Sequence, residues 1–166
     1  VCLVLVMARI CERVVPDGNR LVTLLFTVMC LPAVVEFAPG RIDHHNVQIL
    51  LFACALLGLV NRDTKWGHYT IGVAVAASIA IGVDTFLLLI VLLGFLGLDW
   101  VLGRDGAGKG LIRTGIAMSA TVLALFFLSV PPDSWWQARP DSISIFFVGL
   151  LLLVSTGFCA LYLAAP

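Results

Sequence analysis

The sequence predicts an all-α protein, a polytopic transmembrane helix bundle of about six to seven spans. Three observations carry that expectation. Hydrophobic residues make up 61% of the chain and charged residues only 12%, against about one quarter charged in soluble domains. Mean hydropathy is +1.08. The apolar residues fall in runs that approach the thickness of a bilayer as helices, and short polar stretches rich in Pro or Gly separate them. The formal net charge is zero, so no basic footprint for a nucleic acid is present and none is expected as a partner. The expected surroundings are the lipid bilayer.

Taken in order, residues 1–15 read as a helix that reaches the charged group Arg9, Glu12 and Arg13, and Pro16-Asp17-Gly18-Asn19 is turn chemistry. Residues 20–38 form the next span, kinked at Pro32 and carrying Glu36 near its far end. Pro39-Gly40 stops it, and a span over 43–60 starts with Asp43 as its cap. Asn61-Arg62-Asp63-Thr64-Lys65 is a polar turn. The apolar stretch from Trp66 to Leu102 would measure roughly 55 Å as one helix, well beyond the roughly 30 Å of a hydrocarbon core. It is therefore split at Gly82-Val83-Asp84-Thr85 into spans 66–83 and 85–102, with Asp84 or Thr85 capping the second. Gly103 to Gly110 reads as a flexible connector, because its Gly-Lys-Gly lacks the spacing and the strand of a phosphate loop. Spans 111–130 and 142–163 complete the chain, joined by a polar loop from Pro131 to Asp141 whose Trp135 and Trp136 suit the headgroup belt. The whole reads as one domain, 1–166. It opens at Val1-Cys2-Leu3-Val4 inside an apolar run and closes at the end of another, which predicts a piece of a longer protein.

The five cysteines form no Cys-x-x-Cys pair and read as small hydrophobes. Charge position says more. With alternating spans, Arg9, Arg13, Arg20, Arg62, Lys65, Arg104, Lys109 and Arg113 fall on or near one side, and only Arg41 and Arg139 on the other. The positive-inside rule makes the first side cytoplasmic. Glu36, Asp43, His44, His45, Asp84, Asp133 and Asp141 then gather at the extracytoplasmic face, and a divalent cation would relieve their mutual repulsion.

The chain is organised around Gly40-Arg41-Ile42-Asp43-His44-His45-Asn46-Val47-Gln48, a polar island between two apolar runs. Asp43 and His45 are two positions apart, a spacing that brings them together only where the first stands outside helical geometry, as a cap does. An imidazole in the set suits Mn²⁺ or Zn²⁺, whereas Mg²⁺ prefers all-oxygen ligands. Two ligands do not complete a site, and Asp84 is a candidate third. Arg41 offers a guanidinium fork for phosphate, or else snorkels to the interface. Asn46 and Gln48 are candidate contacts to the metal ligands or to substrate, or else solvated residues at a helix start.

The stretch Pro39-Gly40-Arg41-Ile42-Asp43-His44-His45-Asn46-Val47-Gln48 resembles the second acidic motif of oligosaccharyltransferase catalytic subunits, in the archaeal form with Gly-x-x-Asp-His-His before a transmembrane helix. Ala80-Ile81-Gly82-Val83-Asp84 and Asp141-Ser142-Ile143-Ser144 are similar to segments of bacterial membrane proteins sharing the Arg-Ile-Asp-His-His-Asn motif, with Asp84 in place of Glu and Pro140 in place of Cys. The resemblance implies a partial GT-C membrane domain and transfer of a sugar or oligosaccharide from a polyprenyl-phosphate-linked donor to an extracytoplasmic acceptor at the inner cell membrane. It also implies a divalent cofactor, Mn²⁺ or Mg²⁺, ligated by Asp43 and His45. The family's first acidic motif and its Trp-Trp-Asp-Tyr-Gly acceptor motif have no counterpart here, since Trp135-Trp136-Gln137 lacks the Asp. The acceptor is therefore open, His44 is the candidate base, and the chain alone is expected to be inactive. The competing expectations are an ion or metal transporter with its acids deep in the spans, and a noncatalytic membrane scaffold subunit.

Overall fold

The structure, a computed structural model, describes residues 2–15, 44–139 and 143–164, together with 21, 22, 25, 29, 36 and 37. Among the described residues the chain is all-α: α1 (Cys2–Val14), α2 (His44–Val60), α3 (Lys65–Ile81), α4 (Phe86–Val101), α5 (Ala107–Ser129) and α6 (Ile145–Leu163), with a 3-10 turn at Pro132–Ser134 and no strand. The Pro16–Asn19 turn, the Pro32 kink, the Pro39-Gly40 stop and the capping position Asp43 lie outside the described residues.

The long apolar stretch divides where a helix could not continue. α3 ends at Ile81, and the Gly82 amide still donates to the Ser78 carbonyl at 3.0 Å. A tight turn follows, in which the Phe86 amide donates to Val83 at 2.9 Å. Thr85 takes the N-cap position of α4, but neither it nor Asp84 caps that helix with a side-chain bond. The Thr85 hydroxyl instead lies 2.8 Å from Ser78 Oγ, tying the turn back to α3. At the other end of α3, Thr64 does cap: its hydroxyl accepts from the Gly67 amide at 3.0 Å.

α3 is the central helix, packed between α2 and α5; α5 in turn carries α6 and α4, and α1 lies on α2. Ile71, Val75 and Ile79 of α3 meet Leu111, Met118 and Val122 of α5 in a core that continues into Leu89 and Leu92 of α4 and Phe147 and Leu151 of α6. Small residues let the backbones approach, as is common between helices in lipid. A Cβ on Gly72 would stand 2.8 Å from both Ala117 Cβ and the Met118 amide. A Cβ on Gly110 would collide with the imidazole of His68, which is buried between α3 and α5.

A departure from expectation lies beside that contact. Residues 107–110 are not a connector but the first turn of α5, which begins four positions before the expected 111. Gly106, in the left-handed region at φ +75°, makes the sharp entry that only a residue without Cβ adopts at ease. Ala107-Gly108-Lys109-Gly110 is helical, and Gly110 packs against the His68 ring.

Two helices, α5 with 23 residues and α6 with 19, are long and apolar enough to cross a membrane. α2, α3 and α4 have 17, 17 and 16 residues, or about 24–26 Å at 1.5 Å per residue, a little short of the roughly 30 Å core. The turn at 82–85 takes residues 82, 83 and 85, which were expected to belong to the spans on either side of it. α4 nevertheless turns Leu87, Val91 and Val101 outward at 65–72% exposure, an apolar face with no partner among the described residues.

Candidate metal centre

Antiparallel packing sorts the ionisable groups by end. Arg13 Nη2 lies 3.6 Å from Asp63 Oδ2, which sets the end of α1 beside the α2–α3 turn. Arg62, Lys65, Arg104, Lys109 and Arg113 occupy that same end through the connectivity of α2 to α5. The first residues of α2 and the α3–α4 turn occupy the opposite end.

There the chain brings together His44, His45 and Asp84. One ligand-capable atom of each lies within 4.8 Å of the others. His44 Nε2 is 3.4 Å from Asp84 Oδ2 and His45 Nδ1 is 3.6 Å from the same oxygen. The two rings are tilted at 36° with centroids 4.3 Å apart. Consecutive residues of a regular helix diverge by about 100°; at the first two positions of α2 they converge on one carboxylate. The reason is local: Asp84 sits in a turn, does not cap α4, and so presents its carboxylate to the neighbouring helix start. All three side chains are 41–52% exposed, so the group opens outward from the bundle.

Beneath it lies Gln48, one turn further along α2 and 1% exposed. Its Nε2 has no hydrogen-bond partner among the described residues, a costly state for a buried amide. Gly82 makes room for it: a Cβ there would stand 2.7 Å from Gln48 Nε2, 3.5 Å from Asp84 Oδ2 and 3.5 Å from His44 Cδ2. Asn46 is half-buried and its Oδ1 is likewise without a partner among the described residues. Gln48, expected as a substrate contact, is enclosed by the protein and underlies the histidines.

Of the residues expected at this site, His44, His45 and Asp84 lie together with Gln48 beneath them, Asn46 follows in the first turn of α2, and Arg41 and Asp43 lie outside the described residues. His44, expected as a base, stands in the same ligand group as His45. Gly82 was not singled out as a site residue; the signal for it was its position at the helix break, two residues before Asp84. Asp133 lies in the 3-10 turn and outside the group, and Asp141 is not described. Trp135 is not a free headgroup anchor: its Nε1 donates to the Val130 carbonyl at 2.9 Å, closing the end of α5, while Trp136 is 86% exposed. Cys2, Cys54 and Cys159 are free thiols, and Cys30 lies outside the described residues.

Two imidazoles and a carboxylate form a donor set that fits a divalent transition metal better than Mg²⁺. Comparison with family models, with curated proteins and with solved structures finds no match to this chain.

Proposed function

We propose that this chain is the metal-bearing part of a multi-pass membrane glycosyltransferase with a GT-C-type membrane domain. It would transfer a sugar or oligosaccharide from a polyprenyl-phosphate-linked donor to an acceptor on the extracytoplasmic side of the inner membrane. The observation that carries the reading is the convergence of His44, His45 and Asp84 at the bundle end opposite the arginines and lysines. The positive-inside rule assigns the basic end to the cytosol, which turns the three outward. Lipid would solvate the apolar face of α4 and the 83%-exposed Leu128 of α5. The similarity of Gly40 to His45 to the oligosaccharyltransferase motif supplies the reaction class.

A divalent cation held by His44, His45 and Asp84 would stabilise the charge that builds on the leaving phosphate of the donor. The remaining chemistry belongs to the chain. Asp84 orients both imidazoles toward one point and offsets the cation's charge. A nitrogen given to a cation cannot also take a proton, so the proposal assigns His44 to the cation and not to the acceptor. Gln48, enclosed beneath His44 and Asp84 against Gly82, would hold the floor of the site. Asp43 supplies a further oxygen and Arg41 a fork for the donor phosphate.

The test is sugar transfer from a polyprenyl-phosphate-linked donor by the full-length parent protein with Mn²⁺. His45→Ala and Asp84→Asn are expected to lower the rate by about 10²-fold or more, the scale of losing preorganised charge stabilisation. Undiminished transfer by either variant rejects the assigned roles. The transporter reading predicts ligands at mid-depth; this group lies at a bundle end, and metal uptake into proteoliposomes that depends on Asp84 would favour that reading instead. The scaffold reading predicts no change in metal affinity on either substitution.

A further inference from the structure

The opposite end of the bundle carries an arrangement that the proposed chemistry leaves unused. The α2–α3 turn, the last turn of α4 and the first turns of α5 enclose a cavity of about 110 Å³, well beyond the roughly 10–15 Å³ that one water needs. Arg62, Arg104, Lys109 and Arg113 line it. Two of these cations are matched within the wall. Arg62 Nε donates to Asp99 Oδ2 at 2.8 Å, and Arg104 pairs with Asp63 and stands 3.9 Å from Asp99.

Lys109 and Arg113 form no ion pair among the described residues. The one lining acid left for both is the exposed Asp105. The lining therefore holds four cations against three acids, one positive charge in excess. Arg113 is half-buried, so its charge is partly removed from water without a protein partner, an unfavourable state unless an anion joins it. Gly106 and Ala107 open the start of α5 onto the same cavity, and no side chain caps that helix, so its positive end adds to the field.

We infer that this cavity binds a phosphate group through Arg113 and Lys109, and that the phosphate is the headgroup diester of an anionic phospholipid. An excess of one charge suits a monoanionic phosphodiester better than a dianionic phosphate. The site lies at the bundle end that the proposed orientation sets in the cytosolic leaflet, where anionic lipids concentrate. Only the lipid source depends on that orientation; the cavity and its charges do not.

The test uses the full chain in nanodiscs containing phosphatidylcholine with or without phosphatidylglycerol. Native mass spectrometry reads retained lipid, and calorimetry with inorganic phosphate in phosphatidylcholine discs reads free-anion binding. Preferential retention of phosphatidylglycerol is expected, reduced about tenfold by Arg113→Gln, in keeping with the loss of one charge-assisted contact, and partly kept by Arg113→Lys. Lys109→Gln, at an exposed position that does not threaten the fold, is expected to lower retention too. Lys65→Gln, at the same end but outside the cavity, is expected to change nothing. Binding of inorganic phosphate that falls in the Arg113 and Lys109 variants, without preference for phosphatidylglycerol, keeps the phosphate site but rejects the lipid source. Absence of both binding signals, or equal binding by wild type and both variants, overturns the inference, and neither outcome bears on the histidine site.

Discussion

Asp84 Oδ2 stands 3.4 Å from His44 Nε2, across the junction between the start of α2 and the α3–α4 turn. The contact joins two helix ends that the chain reaches only after a complete hairpin. It gathers two neighbouring histidines and a carboxylate so closely that their donor atoms could reach one cation.

Asp84 is half-exposed and caps no helix, so Asp84→Asn is expected to leave folding intact while weakening divalent binding. The expected loss is about 10–100-fold, read by titrating Mn²⁺ or Zn²⁺ into the detergent-purified chain. Asp84→Glu is expected to keep part of the affinity. Equal affinity in wild type and Asp84→Asn would remove the carboxylate from the site.

Gln48 gives a sharper discrimination. A buried amide whose Nε2 has no partner among the described residues is left in a state that costs about 1–3 kcal/mol. Gln48→Met keeps the volume and removes the polar group, so thermal stability is expected to hold or rise by up to about that amount. Divalent affinity or transfer activity is expected to fall in the same variant. A drop in melting temperature with unchanged metal binding would show that the amide serves packing alone.

The α3–α5 interface has its own test. Gly110→Ala forces a methyl into the His68 ring, and overpacking of this kind costs about 1–3 kcal/mol. His68→Ala alone also destabilises, because it empties the buried place of the ring and removes the 3.4 Å contact of Thr114 Oγ1 with His68 Nδ1, while the Thr114 bond to the backbone carbonyl remains. The double variant is expected to recover part of the sum, with a coupling of roughly 0.5–3 kcal/mol, read by unfolding in detergent. Additive losses would mean that the ring and the glycine are not in contact.

Orientation is checked by labelling. Single cysteines at the exposed positions Asp105 and Asp133, in a background with the native cysteines replaced, are expected to react with a membrane-impermeant maleimide from opposite faces of sealed vesicles. Asp133→Cys is expected to react from the extracytoplasmic side and Asp105→Cys from the cytosolic side. Reaction of both from one side contradicts the proposed arrangement of α5 between them.

Several elements were legible because they depend on local physics. Length against bilayer thickness required a break in residues 66–102, and Gly82 to Thr85 was the place where turn chemistry accumulated. The polar pentad at 61–65 and the Pro131 end of α5 were readable for the same reason. The start of α5 was not, because Ala107-Gly108-Lys109-Gly110 has poor helix propensity. The His68 ring, brought from another helix, packs against Gly110 in that glycine-bearing first turn.

The sequence by itself determined that the chain is helical and apolar, where its polar residues concentrate, and which residue types could ligate a metal. These follow from composition, periodicity and the cost of polar groups in hydrocarbon, all of which act on neighbours along the chain. Tertiary structure alone decided that Asp84 faces both histidines, that Gln48 is enclosed beneath them against Gly82, and that Arg113 and Lys109 share a cavity with the Arg62–Asp99 pair. Those relations are set by how α2, α3, α4 and α5 pack, and a packing distance between residues far apart in the chain is not encoded in any single local stretch.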